Sequence, residues 1–171
     1  MTGISIAAVL LRVTLGVTML AHGWNHVWGG GKLPGTARWF ASIGMRASRF
    51  QATVASVTEL VAGALLLLGL LTPFACAAVV GTMVVALVAN HIRNGFFIFR
   101  PGEGYEYVLM ITIVAVALAA LGGGEVSVDE AIGFGADGWA GVAIALALGG
   151  GMGASVLAAF WRPPARSRDG A

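Results

Sequence analysis

Five stretches of this chain run for close to the length of a membrane crossing with hardly a charge in them: Ile4 to Trp24, Ala52 to Leu71, Phe74 to Ile92, Tyr105 to Leu121 and Trp139 to Trp161. A helix needs about 20 mostly apolar residues to cross the hydrocarbon core. Backbone groups in lipid must be satisfied within the segment, so the choice is between helices and a closed barrel. A barrel strand would alternate apolar and polar residues, and no such alternation is visible. The pattern predicts an all-α transmembrane helical bundle. Composition agrees: 11% of the residues are charged, against about 25% in soluble domains.

The charges that remain sit between the stretches. Lys32, Arg38, Arg46 and Arg49 lie after the first, Arg93 and Arg100 after the third, and Arg162, Arg166 and Arg168 after the fifth. With five spans, all three groups fall on one side. Glu125, Asp129, Glu130 and Asp137 fall on the other. The excess of positive charge marks the cytoplasmic side, so the N-terminus is expected outside and the C-terminus inside. Trp24, Trp28, Trp39, Phe96, Phe97, Phe99, Tyr105, Tyr107 and Trp161 gather at the expected inner boundary, as an interfacial belt does. A formal net charge of +2 spread over loops gives no footprint for nucleic acid. Nine arginines against one lysine, with abundant Ala, Gly and Val, fit a bacterial chain and hence a multi-pass protein of the plasma (inner) membrane. The first stretch has no basic leader and is interrupted by Arg12, unlike a signal peptide.

The loops carry further expectations. TARWFASIGM places Trp39, Phe40 and Ile43 on one helical face, which predicts a short amphipathic helix at the inner interface. Ser127 with Glu130 three residues on is a capping-box pattern, predicting a turn of helix outside. The fifth stretch holds Gly149, Gly150, Gly151 and Gly153, small residues that let helices approach closely. Cys76, the single cysteine, excludes an intramolecular disulfide and reads as a small packed hydrophobe.

Ionisable residues inside the stretches are the functional candidates, because a charge there costs roughly 2.5–3.5 kcal/mol on insertion scales. By helical rise Glu59 lies about 12 Å and Arg12 about 18 Å from the inner face. Glu59 is therefore the expected partner of Arg12. His22 and His26, four apart, project from one side of the first helix. His91 closes the third stretch and Glu106, flanked by Tyr105 and Tyr107, opens the fourth. Three histidines and two acids thus converge near the inner side, with Arg12 above them. Interfacial anchors, a metal site and a pocket for a small polar headgroup such as a quinone all remain open on these residues. His, Arg and a protonatable Glu would serve the quinone oxygens and its protons. No phosphate loop, dinucleotide fingerprint or CxxC pair is present.

Five pieces in order resemble the DoxX family of small bacterial membrane proteins: LLRVTLGVTMLAHG, WFASIGM, TELVAGALLLLGLLTPFA, NHIRNGFF and GYEYVLM. The resemblance spans about Leu10 to Asp129, and SVDEAIG matches the family's S-x-D ending. It marks Arg12, His22, Gly23, Glu59, Gly63, Gly69, His91, Gly95, Phe96, Phe97, Gly104, Tyr105 and Glu106. Convergence at one depth gives the expected substrate-binding set, Arg12, His22, Glu59, His91, Tyr105 and Glu106, and structural roles are expected for Gly23, Gly63, Gly95 and Trp39. Family members are described with four spans. The expected organisation is therefore a four-helix DoxX-like domain over residues 1–130, an additional span over 131–161 and a basic tail over 162–171. Relatives include proteins similar to the quinone-reducing subunit of thiosulfate:quinone oxidoreductase. Others belong to membrane oxidoreductase complexes that join radical detoxification to thiol metabolism. The implied function is a membrane subunit of a redox-linked, quinone-interacting complex, with protein partners and a homo-oligomer both open. The alternatives are a non-catalytic scaffold or assembly factor, whose charged residues only pair helices, and a small transporter.

Overall fold

The computed structural model describes residues 1–164, and every predicted span is a helix in it. The elements are α1 (Gly3–Trp28), α2 (Lys32–Ser42), α3 (Ser48–Leu68), α4 (Thr72–Asn94), α5 (Glu106–Leu121), α6 (Val128–Ala131) and α7 (Gly138–Phe160). The described residues form no strand beyond one isolated bridge between Met45 and Trp161. Four helices, α1, α3, α4 and α7, are long and apolar enough to cross a membrane. The fourth predicted span, α5, is as apolar but has 16 residues, about 24 Å of rise. The aromatic loop from Phe96 to Tyr105 precedes it. The predicted tail residues Arg166, Arg168 and Asp169 lie outside the described residues.

Local chemistry sets the boundaries. The Thr2 hydroxyl accepts the Ser5 N–H and starts α1. Gly69, in the left-handed region at φ 63°, ends α3 and returns its N–H to the carbonyls of Leu65 and Leu66, the use for which a residue without Cβ is suited. Pro73 sits in the first turn of α4, where its missing N–H costs nothing. Toward its end α4 widens into a π-helical turn over Leu87–His91, with the Ile92 N–H reaching back to the Leu87 carbonyl. Such turns insert one residue and re-aim those that follow. As predicted, Ser127 caps α6, its hydroxyl accepting the Glu130 N–H at 3.1 Å.

Small residues hold the helices together. A Cβ on Gly63 of α3 would lie 2.7 Å from Leu20 Cγ and 2.8 Å from the Gly16 carbonyl oxygen of α1. A Cβ on Gly23 would lie 2.8 Å from Leu60 Cγ. On the other side of the bundle, Gly149 and Gly153 press α7 onto Val80 and Val84 of α4. Half of the glycine run in the fifth span is therefore consumed inside the chain; Gly150 and Gly151 meet nothing within 4 Å. Cys76 is fully buried among Ala75, Val79, Leu118 and Ala119, the packed position expected of it.

The alternating helices carry the basic loops to one end and Glu125, Asp129, Glu130 and Asp137 to the other, the basic and acidic ends. At the acidic end the N-terminal ammonium lies 3.3 Å from Glu125. The Thr2 N–H, that ammonium and the Ser5 hydroxyl hold the Glu125 carboxyl below the usual range. At the basic end α2 buries Ala37 and Phe40. Trp39, expected on the same face, stands at its edge and is half exposed. The loop after α2 is clasped to the end of α7. The Arg46 N–H donates to Phe160 O at 2.7 Å, the Arg162 N–H to Gly44 O at 2.9 Å, and the Trp161 ring N–H to Ile43 O at 2.9 Å.

Candidate functional site

Arg12 does not meet Glu59. Its guanidinium turns toward the acidic end and donates to four carbonyls: Leu66 at 2.9 Å, Leu67 at 2.9 Å, Gly123 at 2.7 Å and Val126 at 2.6 Å. Two of these end α3, where the helix dipole leaves partial negative charge; the other two belong to the loop before α6. A companion acid completes the arrangement. Asp129 accepts the N–H groups of Leu71 at 2.6 Å and Thr72 at 2.9 Å, capping the positive end of α4. Its own N–H donates to Gly69 O at 2.8 Å. Arg12 and Asp129 are each 4% exposed. Both act as helix locks. Replacing Asp129 with Ala is expected to lower stability by about 1–2 kcal/mol, read as a lower unfolding midpoint in detergent.

Glu59 has a different partner. His26 Nδ1 lies 3.0 Å from Glu59 Oε2, with the two side chains 16% and 5% exposed. The contact is short but poorly aligned as a hydrogen bond, and neither atom has another partner among the described residues. Buried polar atoms in this condition are uncommon and costly. The pair borders a cavity of about 300 Å³ in the half of the bundle nearer the basic end. The cavity wall is drawn from α1 to α5, α7 and the basic-end loops, and is mostly apolar. Along α4 it extends from Ala77 to His91, about 21 Å of helix rise. It contains no Lys or Arg among the described residues.

The other predicted residues divide. His22 lines the cavity and stacks on Tyr107 of α5, ring centroids 6.4 Å apart. His91 lines it too, but both its ring nitrogens are engaged: Nδ1 with Glu103 O at 2.9 Å and Nε2 with the Asn90 side-chain nitrogen at 3.3 Å. A proton on Nδ1 satisfies both contacts. Asn94 also donates to Glu103 O, at 3.0 Å, so the end of α4 is tied to the loop before α5. Tyr105 and Glu106 stay out of the wall. Tyr105 packs edge-on against Phe96, centroids 5.5 Å apart, and the Glu106 carboxylate accepts the Ile98 N–H at 3.2 Å. Gly95, at φ 83°, makes the turn that this loop requires. The expected substrate-binding set leaves out His26, Gln51, Asn90, Glu103 and Tyr107, though all five line the cavity.

Among the residues lining the cavity, the buried polar atoms left without an aligned hydrogen bond belong to Glu59 and His26, within mostly apolar walls. This arrangement suits a neutral headgroup that offers oxygen atoms and an attached hydrocarbon portion. No group of three or more His, Cys, Asp or Glu side chains among the described residues is placed to hold a metal ion. The DoxX family model matches residues 7–92, just over half of the chain, and takes in α1 to the end of the cavity-lining part of α4. No curated protein and no solved structure matches the chain.

Proposed function

The chain belongs to the DoxX family of membrane proteins, and from that premise we propose that it is the membrane subunit of a redox-linked complex whose cavity takes a quinone-like headgroup. The observation that carries this reading is the His26–Glu59 pair, buried, 3.0 Å apart and without an aligned partner. A quinone presents carbonyl oxygens that become hydroxyls on two-electron, two-proton reduction. His26 can donate to the first form and Glu59 can accept from the second, and both residue types exchange protons. The absence of Lys and Arg from the wall disfavours a phosphate headgroup. His22, Tyr107 and the fixed His91 frame the ring; the electrons belong to partner subunits. In this reading the basic end is cytoplasmic, the N-terminus faces out, and the membrane is the bacterial plasma membrane.

The test is direct. Protein purified in mild detergent is extracted and its menaquinone and ubiquinone are quantified. Near-stoichiometric quinone is expected, with at least about tenfold weaker retention in Glu59→Gln, the equivalent of one hydrogen bond to a charged group. No quinone in the wild-type extract, or unchanged retention in the variant, would overturn the reading. The Arg12 lock favours the scaffold alternative in one respect, since the most expensive charge in the chain is spent on helix pairing. On that alternative Glu59→Gln would lower recovery of the partner complex while leaving its redox rate unchanged.

A further inference from the structure

We propose that the slot between α3 and α7 is the channel for the hydrocarbon chain of the cavity's ligand, so that the occupant is a long-chain amphiphile exchanged with the lipid. This rests on the headgroup reading above. Val54 of α3 and Met152 of α7 both line the cavity, yet they are 39% and 61% exposed. The wall is incomplete between them, and the cavity opens sideways.

The same two helices are closed toward the basic end. Phe50 and Phe160 face each other there, ring centroids 6.3 Å apart, and the Arg46 N–H to Phe160 O bond fixes the backbone beside them. Val54 lies one turn beyond this seal along α3. Met152 lies eight residues beyond it along α7, about 12 Å. The opening therefore faces membrane depth and not the aqueous surface. Nor can α7 shift to fill it, because Gly149 and Gly153 hold that helix against α4.

The chemistry of the slot matches a hydrocarbon chain. Val54, Ala55, Ala77, Gly81, Met152 and Val156 bring no charge, and Met152 is the side chain best able to adapt to a flexible neighbour. The cavity's margin between α1 and α5, at His22 and Tyr107, is polar. One cavity thus has a polar side and an apolar side opening, with the unsatisfied Glu59–His26 pair between. Its length along α4, about 21 Å, exceeds what a ring headgroup fills.

The experiment uses the full chain in phosphatidylethanolamine–phosphatidylglycerol nanodiscs and a benzoquinone whose alkyl tail ends in a diazirine. After illumination, label is expected on α3 and α7 around Val54 and Met152, and its yield should fall at least tenfold in Met152→Trp. Binding of a tail-less benzoquinone should stay within twofold in that variant, because the larger side chain fills the slot at the exposed margin, away from the headgroup end. Label concentrated near His22 and Tyr107, or spread evenly over lipid-facing helices, would overturn the channel. So would equal weakening of tailed and tail-less quinones, or a co-purified protein helix cross-linked at Met152. If the tail-less quinone does not bind the wild type, the headgroup reading falls and the channel with it. If it binds and Met152→Trp leaves the tailed probe unaffected, the channel alone falls.

Discussion

Replacing Arg12 with methionine is expected to destabilise the protein by on the order of 4 kcal/mol, more than any other single change to an ionisable residue here. Hydrogen bonds to charged groups contribute about 1.5–3 kcal/mol each, and Arg12 makes four, all to carbonyls. Removing the charge also removes its desolvation cost, so the net effect is far below the sum. What remains is the penalty of leaving the α3 end and the loop before α6 without donors. Arg12→Lys should recover only part of this, since three donors on one nitrogen cannot span carbonyls from two directions. The measurement is the unfolding midpoint and monodisperse yield in detergent. If Arg12→Met retained wild-type stability and lost only ligand, the lock would be refuted and a direct binding role restored. Gly69 gives an independent check: its added Cβ would fall 2.5 Å from Arg12 Cζ, so Gly69→Ala should reproduce much of the defect.

Gly63→Leu should be nearly as damaging, for a steric reason. Even a single Cβ there meets Leu20 Cγ at 2.7 Å and the Gly16 carbonyl oxygen at 2.8 Å. The side chain of Leu20 can move, but the backbone oxygen cannot without shifting a helix. Overpacking of this kind costs about 1–3 kcal/mol, and leucine at a backbone-to-backbone approach belongs at or above the upper limit. The separation would propagate to the site, because His26 rides on α1 and Glu59 on α3. Quinone retention should therefore fall along with the thermal midpoint. Gly150→Leu, at a position with nothing within 4 Å, is the matched control and should change neither. Equal behaviour of the two variants would show that α1 and α3 have slack where the structure has none.

Much of this was legible in the chain. Runs of apolar residues located the spans, loop charges separated the two ends, and Ser127 with Glu130 marked the turn that became α6. On a helical wheel Arg12 and His26 fall within about 40° of each other, and both do face α3. The wheel could not say what stood opposite each. Fourteen residues, about 21 Å of rise, separate them, so Arg12 reaches the end of α3 while His26 lies level with Glu59. Opposite charge made Arg12 and Glu59 look like partners, yet carbonyls at a helix end satisfied the arginine without any acid. His22 and His26 were read as a pair from spacing, whereas only His26 turned to Glu59. Asn90 and Glu103 were missed because their place in the wall depends on the widened turn in α4 and on the loop tied to its end, and Gln51 and Tyr107 because it depends on how whole helices pack. No local pattern encodes either.

The clasp between the loop after α2 and the end of α7 bears on how the protein is made. A ribosome releases α1 to α4 first, with the family-matched part of the chain complete and the floor under Glu59 still unfinished. Only when the last span has entered the membrane can Phe160 and Trp161 meet Arg46 and Ile43. Early segments generally fold as they emerge, but here the site must wait for the final helix. A chain interrupted before α7 would carry its Glu59–His26 pair open at the basic end.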